Sequence, residues 1–174
     1  LHILVKGKQA HGAYPWSSVD PIVAASQIVM GLQTIVSRNV NIAQIPAIVT
    51  VGAIHGGVRH NIIPEEVDMI GTIRTYSDEQ QALVHRRIRE IAENIAKSAG
   101  AQAEVEIKKM YPVTHNDASL TEMMLPTLQE VSGEGNLWEH DPITGAEDFS
   151  FFQKEKPGLF IFLGGMPKDM KPEE

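Results

Sequence analysis

Apolar and polar positions along the chain alternate between two periods, and their succession predicts the elements. Leu1-His2-Ile3-Leu4-Val5-Lys6 is rich in β-branched and aliphatic side chains and closes at Gly7, as a first strand would. After a loop bearing His11, Tyr14 and Pro15, Asp20-Pro21 supplies an N-cap and a proline at the first helical position. Ile22, Ala25, Val29, Leu32 and Val36 then recur at helical spacing and predict one buried face. Ala47 to Ile54 reads as a strand apolar on both faces, and Val67 to Tyr76 as the next strand. The loop between them, His55 to Pro64, is longer than a hairpin needs, and long loops in compact domains are often functional. Ser77 and Gln80 form a capping box for a second helix, whose stripe of Val84, Ile88, Ile91 and Ile95 runs to Gly100. Gln102 to Lys109 alternates, which turns Ala103, Val105 and Ile107 inward.

This order, β-α-β-β-α-β, is the ferredoxin-like arrangement of an α+β domain, complete by about Met110. In it the third strand is central and the second, Ala47 to Ile54, lies at a sheet edge. An uncharged apolar edge invites pairing, so two copies are expected to join through this edge and the first helix. Beyond Tyr111-Pro112, Asn116 or Asp117 can cap a helix through Met123, Leu125, Leu128 and Val131, bent or interrupted at Pro126. Thr144 and Glu147 form a capping box for a short helix around Phe149 to Phe152. Gly158 to Leu163 reads as a short buried strand, and Met166 to Glu174 as a polar loop. The expected division is a domain over 1–112 and a second segment over 113–174. Roughly sixty residues are too few to bury a core of their own, so the second segment is expected to dock on something outside this sequence.

Composition narrows the chemistry. At 43% hydrophobic and 21% charged residues the chain is ordinary globular protein, which argues against disorder. A net charge of −7 argues against a nucleic-acid surface, and no apolar run approaches the roughly 20 residues that cross a bilayer. The absence of cysteine excludes a disulfide scaffold, a thiolate nucleophile and cysteine-ligated zinc within these residues. The chain opens on a strand with neither Met nor a signal-peptide pattern, which reads as a cut end. A cytoplasmic compartment is the expectation, a secretory signal having to precede Leu1.

Seven histidines are the first candidates for chemistry. His2 sits in a strand and His85 on a helix face, where structural or solvent-facing roles suffice. Turn chemistry accounts for His115 beside Asn116-Asp117 and for His140 beside Asp141. His55 and His60 flank a Gly-Gly turn. No HExxH and no pair of histidines at i, i+4 occurs, so spacing reveals no metal site. His11 differs, because a loop braced by Gly7, Gly12 and Pro15 can hold an imidazole in one direction.

Val5-Lys6-Gly7-Lys8-Gln9-Ala10-His11-Gly12-Ala13-Tyr14-Pro15, followed by Asp20-Pro21-Ile22, resembles the start of the lid domain of dinuclear-zinc metallopeptidases and amidohydrolases. The resemblance continues in order through Gly57-Val58-Arg59-His60-Asn61-Ile62-Ile63-Pro64, Gly71-Thr72-Ile73-Arg74, Gly145-Ala146-Glu147-Asp148-Phe149 and Phe162-Leu163-Gly164. That family includes carboxypeptidases, aminoacylases and the hydrolases of hippurate and indoleacetyl-amino acids. Gly-x-Glu-Asp-Phe with His-Asn-Ile-Ile-Pro is most similar to the branch that cleaves N-acyl amino acids. The resemblance implies a ferredoxin-like lid and dimerisation domain, followed by an incomplete piece of an α/β zinc-peptidase-like catalytic domain.

It also implies roles. His11 matches the lid histidine that reaches the active site of the neighbouring subunit and donates to the developing oxyanion. Asn61 matches the asparagine that contacts the substrate carboxylate or carbonyl, and Arg74 the arginine that clamps the free carboxylate, where guanidinium geometry suits the task. His60, as a neighbour of Asn61, and Glu147 are further substrate-binding candidates. In the parent enzyme two divalent ions, zinc by the resemblance, would activate a shared water for attack on the amide carbon. The family's metal ligands and general base have no counterpart in this sequence, so the chain alone is expected to bind no metal and hydrolyse nothing. The expected partners are a second copy and a small N-acyl amino acid or peptide, with no nucleic acid and no membrane.

Two other readings compete. A non-catalytic ferredoxin-like ligand-binding or dimerisation module explains the strand order but not the His-Asn-Ile-Ile-Pro loop or the segment after Tyr111. An RNA-recognition module would need aromatics on the central strands and a basic face. Leu1 to Lys6 carries no aromatic, and the charge is negative.

Overall fold

The computed structural model describes residues 1–165, and the Met166 to Glu174 segment lies outside them. The chain divides into two compact units, Leu1–Met110 and a second that begins at Tyr111.

The first unit contains six strands: β1 (His2–Lys6), β2 (Ala10–His11), β3 (Ile48–Gly56), β4 (Ile62–Ile63), β5 (Glu66–Arg74) and β6 (Gln102–Glu106). Two long helices, α1 (Pro21–Thr34) and α2 (Asp78–Ser98), connect them. Four strands form an antiparallel sheet in the order β3-β5-β1-β6, the ferredoxin-like topology, with β3 at one edge. Ile3 and Val5 of β1 and Val67 and Met69 of β5 point to the same side and are buried against both helices. Each such aliphatic side chain contributes roughly 1.5–3 kcal/mol by leaving water. The opposite side of the sheet mixes Leu4 and Ile70 with polar pairs: His2 bonds Asp68, and Lys6 Nζ donates to Glu104 at 2.5 Å.

Local signals set the helix ends. Asp20 Oδ1 accepts from the N–H groups of Ile22 and Val23 at 2.9 and 3.3 Å, and Pro21 occupies the first helical turn. Ser77 Oγ accepts from Gln80 N–H at 3.1 Å, while the Gln80 carboxamide oxygen reaches back to Tyr76 N–H at 3.0 Å. The reciprocal box therefore closes one residue earlier than expected. Gly100 follows α2 at φ +75°, a left-handed conformation that favours glycine.

The buried face of α1 is the expected one only in part: Ala25 and Leu32 are buried, and Val29 and, just past the helix, Val36 pack against the core. Pro21, Ala24, Ala25, Ile28 and Leu32 are buried, whereas Ile22 is 42% exposed. Val23 and Met30 are exposed too, so α1 is apolar around most of its circumference and helical spacing fits more than one stripe. The sheet and α2 select the stripe.

A register shift interrupts β3 between Val51 and Ala53, where the strand passes Gly71 of β5. A methyl group at Gly71 would stand 2.1 Å from the Thr50 carbonyl oxygen, backbone that side-chain rotation cannot move. Gly71→Ala is expected to destabilise the fold by about 2–3 kcal/mol through overpacking. Urea unfolding would show this as a lower midpoint at unchanged slope. A wild-type midpoint would mean that β3 yields at no cost.

The second unit holds α3 (Ala118–Ser132) and α4 (Phe149–Glu155). Of the two candidate caps it is Asp117 that accepts from Leu120 N–H, at 2.8 Å, and α3 runs through Pro126. α4 begins at Phe149 with Asp148 at its N-cap, later than the start that a Thr144 and Glu147 capping box would set. Packing of the Phe149 ring against Phe152 and Phe160 marks where the helix forms instead.

Gly158 to Leu163 is neither a strand nor buried, with Leu163 94% exposed. A β-forming run needs a neighbouring strand to pair with. What this run has is the start of α3: Asp117 N–H donates to Gly158 O at 3.0 Å, and the Asn116 side chain donates to Phe160 O at 2.9 Å and accepts from Phe160 N–H at 2.7 Å. Among the described residues every buried hydrophobic side chain belongs to the first unit. None of the described helices is long and apolar enough to cross a membrane.

Candidate functional site

Alternation over two residues is too short to read in a sequence, yet two such pieces build the candidate site. β2 pairs antiparallel with β4, His11 opposite Ile62 and Ala10 opposite Ile63. Gly12 N–H donates to the Asn61 carbonyl at 2.8 Å, extending the ladder by one bond. Behind it, Lys8 and Val19 exchange backbone hydrogen bonds at 2.8 and 3.2 Å, and Gly7 N–H donates to Glu65 O at 2.7 Å. The two loops that carry His11 and Asn61, far apart in sequence, are thus held side by side by backbone bonds.

The His11 ring has a set orientation. Its Nδ1 accepts from Ala13 N–H at 3.0 Å. With Nδ1 occupied as an acceptor, the proton of the neutral imidazole resides on Nε2, leaving that atom as a donor. The ring is exposed, as a group that meets a partner from outside must be.

Tyr14, which the sequence places in this loop, and Trp16, which sequence alone does not single out, extend from His11. The Tyr14 ring lies 5.7 Å from the imidazole, and Trp16 meets Tyr14 edge-on at 5.5 Å. A 3-10 turn, Pro15–Ser17, holds them, closed by Ser17 and Ser18 hydroxyl donation to Tyr14 O and Pro15 O at 2.9 and 2.7 Å. Their sequence signal was two rings two residues apart around Pro15. On the other side of Gly12, Ile22, Val58, Arg59, His60 and Pro64 line an open groove of about 470 Å³. His60 therefore accompanies Asn61, exposed on the same loop.

Arg74 does not join them. It ends β5, opposite Ile48, whereas Asn61 precedes the start of that strand. Nine extended residues at about 3.4 Å each separate the two ends by roughly 27 Å. Its Nη1 donates to Thr72 Oγ1 at 2.5 Å and to Ile73 O at 3.0 Å, which aligns the guanidinium along the strand end. Glu147 belongs to the second unit, where its backbone carbonyl accepts from the buried Ser150 hydroxyl at 2.6 Å.

The remaining histidines play other parts. His85 is half-buried on α2, and burial, then the charges of Lys109 and Arg89, hold its imidazole below the usual range. Among the described residues no three His, Asp or Glu side chains converge where a metal ion could be held.

Residues 1–100 match the family model described as the peptidase dimerisation domain. The chain is 36% identical over 164 residues to N-acetylcysteine deacetylase of Bacillus subtilis, covering 94% of this chain and 42% of that protein. It is 34% identical over 163 residues to thermostable carboxypeptidase 2 of Saccharolobus solfataricus, covering 93% and 40%. Among solved structures, a dinuclear metal-binding peptidase of the M20 family from Bacillus subtilis superposes with a TM-score of 0.68 at 31% identity, over 90% of this chain and 37% of that one. The chain thus spans about two fifths of the length of these curated relatives. The matches run on through the second unit, past the end of the dimerisation domain.

Proposed function

Because this chain belongs to the peptidase dimerisation domain family, we propose that the whole protein is a metal-dependent amidohydrolase acting on N-acyl amino acids or small peptides, hippurate-like compounds among them. This chain supplies its dimerisation lid and its recognition of the substrate carboxylate. The observation that carries the reading is the His11 ring, whose Nδ1 is satisfied by Ala13 N–H and whose Nε2–H is free to donate. A fixed neutral donor suits an oxygen that gains charge as an amide carbonyl becomes tetrahedral. The residues described here offer no ligand set for the divalent ions of such an enzyme, so these would be held elsewhere in the whole protein.

The roughly 27 Å length of β5, with Arg74 at one end and Asn61 before the other, fits this reading once β3 is paired. Two copies joined antiparallel along β3 exchange strand ends. The Ile48 end of one, beside Arg74, then lies at the Gly56 end of the other, beside the loops of His11 and Asn61. A carboxylate can be clamped by Arg74 of one protomer and Asn61 of its partner, with the scissile carbonyl under His11. His60 stands next to Asn61 at the groove, and Glu147 is a further proposed substrate-binding residue. The enzyme acts in the cytoplasm.

Incubation of the purified whole protein with N-acyl glycines and dipeptides tests the reading by amine release. Release is expected, abolished by a chelator and restored by zinc. No release from any member of the panel after metal is restored would refute it.

A further inference from the structure

We infer that Tyr14 and Trp16 form the surface that selects the acyl half of the substrate, favouring an aromatic or bulky apolar acyl group over acetyl. The inference rests on the amidohydrolase reading of His11 and extends it to a pair of residues with no assigned role. An N-acyl amino acid is linear in its recognition groups: carboxylate, amide carbonyl, acyl chain. The chain sets groups suited to each of these beside one imidazole. Asn61 neighbours His11 across the β2–β4 ladder, its carbonyl accepting from Gly12 N–H at 2.8 Å. Tyr14 and then Trp16 lead away from the imidazole in centroid steps of 5.7 and 5.5 Å. With the carboxylate at Asn61 and the carbonyl oxygen under His11, the acyl group extends toward the two rings.

The chemistry of that surface suits a ring or a bulky apolar group. Trp16 is 78% exposed and Tyr14 56%, so a large apolar area stands in water beside a polar donor. The Pro15–Ser17 turn holds both rings with five local hydrogen bonds, from Tyr14, Ser17 and Ser18 N–H and from the two serine hydroxyls. Little order is therefore lost when a ligand covers them. Offset or edge-on stacking adds to area burial for an aromatic ligand and has nothing to act on in an acetyl group.

The test is the ratio of kcat/KM for N-benzoylglycine to that for N-acetylglycine in the whole, metal-loaded protein. Trp16→Ala is expected to lower this ratio about tenfold, the size of effect that lost apolar contact has on specificity. Trp16→Phe keeps a ring and is expected to restore most of it. A ratio unchanged by Trp16→Ala, or a Phe variant no better than Ala, would overturn the inference. So would a Trp16→Ala protein that sediments as a monomer, since Trp16 would then be a subunit contact. These outcomes leave the amidohydrolase reading standing; a wild-type protein that hydrolyses neither compound overturns the inference, and one that cleaves no other N-acyl glycine and no dipeptide ends the amidohydrolase reading with it.

Discussion

Replacing His11 with alanine in the whole protein is expected to lower kcat about 100- to 1,000-fold while leaving KM little changed. The magnitude is that of losing one preorganised donor to an oxyanion. The split follows from timing. The carbonyl oxygen of a bound amide carries little charge, so a donor aimed at it contributes mainly once the tetrahedral centre forms, and such a loss falls on kcat. The ring needs no reorganisation to act, because the Ala13 N–H bond to Nδ1 already presents Nε2–H. Steady-state kinetics with one N-acyl amino acid decides it. A raised KM at constant kcat would make His11 a ground-state contact, and unchanged kinetics would remove it from the site.

A second large effect should come from mixing two damaged proteins. Arg74→Ala alone is expected to cost about 10- to 100-fold in kcat/KM, as a charge-assisted clamp on the substrate carboxylate is lost. If each site takes His11 from one protomer and Arg74 from the other, a heterodimer of His11→Ala with Arg74→Ala contains one site with both groups intact. Random pairing makes half the dimers mixed, and one of their two sites is whole, so coexpression should recover about a quarter of wild-type turnover. Each variant expressed alone would stay impaired. Coexpressed protein no more active than the two variants averaged would place His11 and Arg74 within one protomer's reach. The roughly 27 Å along β5 would then need another explanation.

The role of the β3 edge shows how far the residues themselves carry such an argument. Its lack of charge was visible in Ile48-Val49-Thr50-Val51-Gly52-Ala53-Ile54, and the strand order that puts it at the edge followed from the alternation of elements. The shift at Gly52 was not visible, because a bulge exists only relative to the strand beside it. His11 stood out through the glycines and proline around it. The bond that orients its ring, the β2–β4 ladder and the line of Tyr14 and Trp16 all depend on how the loops fold over one another. Asn61 and Arg74 looked like one recognition set because the family motifs carry both. The nine residues of β5 hold them apart, since an extended chain covers distance about as fast as a chain can.

The errors have the same origin. Gly158 to Leu163 has the composition of a buried strand, but composition cannot supply the neighbouring strand that would cover it. Asn116 and Asp117 were equivalent as helix caps until the Phe160 backbone engaged the Asn116 amide.

By itself the sequence determined where the two long helices and the four strands of the main sheet form, with ends placed to within a few residues. Asp20, Ser77 and Gly100 act within a few residues of themselves, and the predicted stripe of α2 faces the core, Val84 and Ile88 buried and Ile91 and Ile95 packed beside Ala92 and Ala96. Only the tertiary structure decided which stripe of α1 is buried, which loops meet at His11, and that Arg74 lies a strand's length from Asn61. Those outcomes depend on the fit between surfaces distant in the chain, where several pairings satisfy the same local pattern and packing admits one.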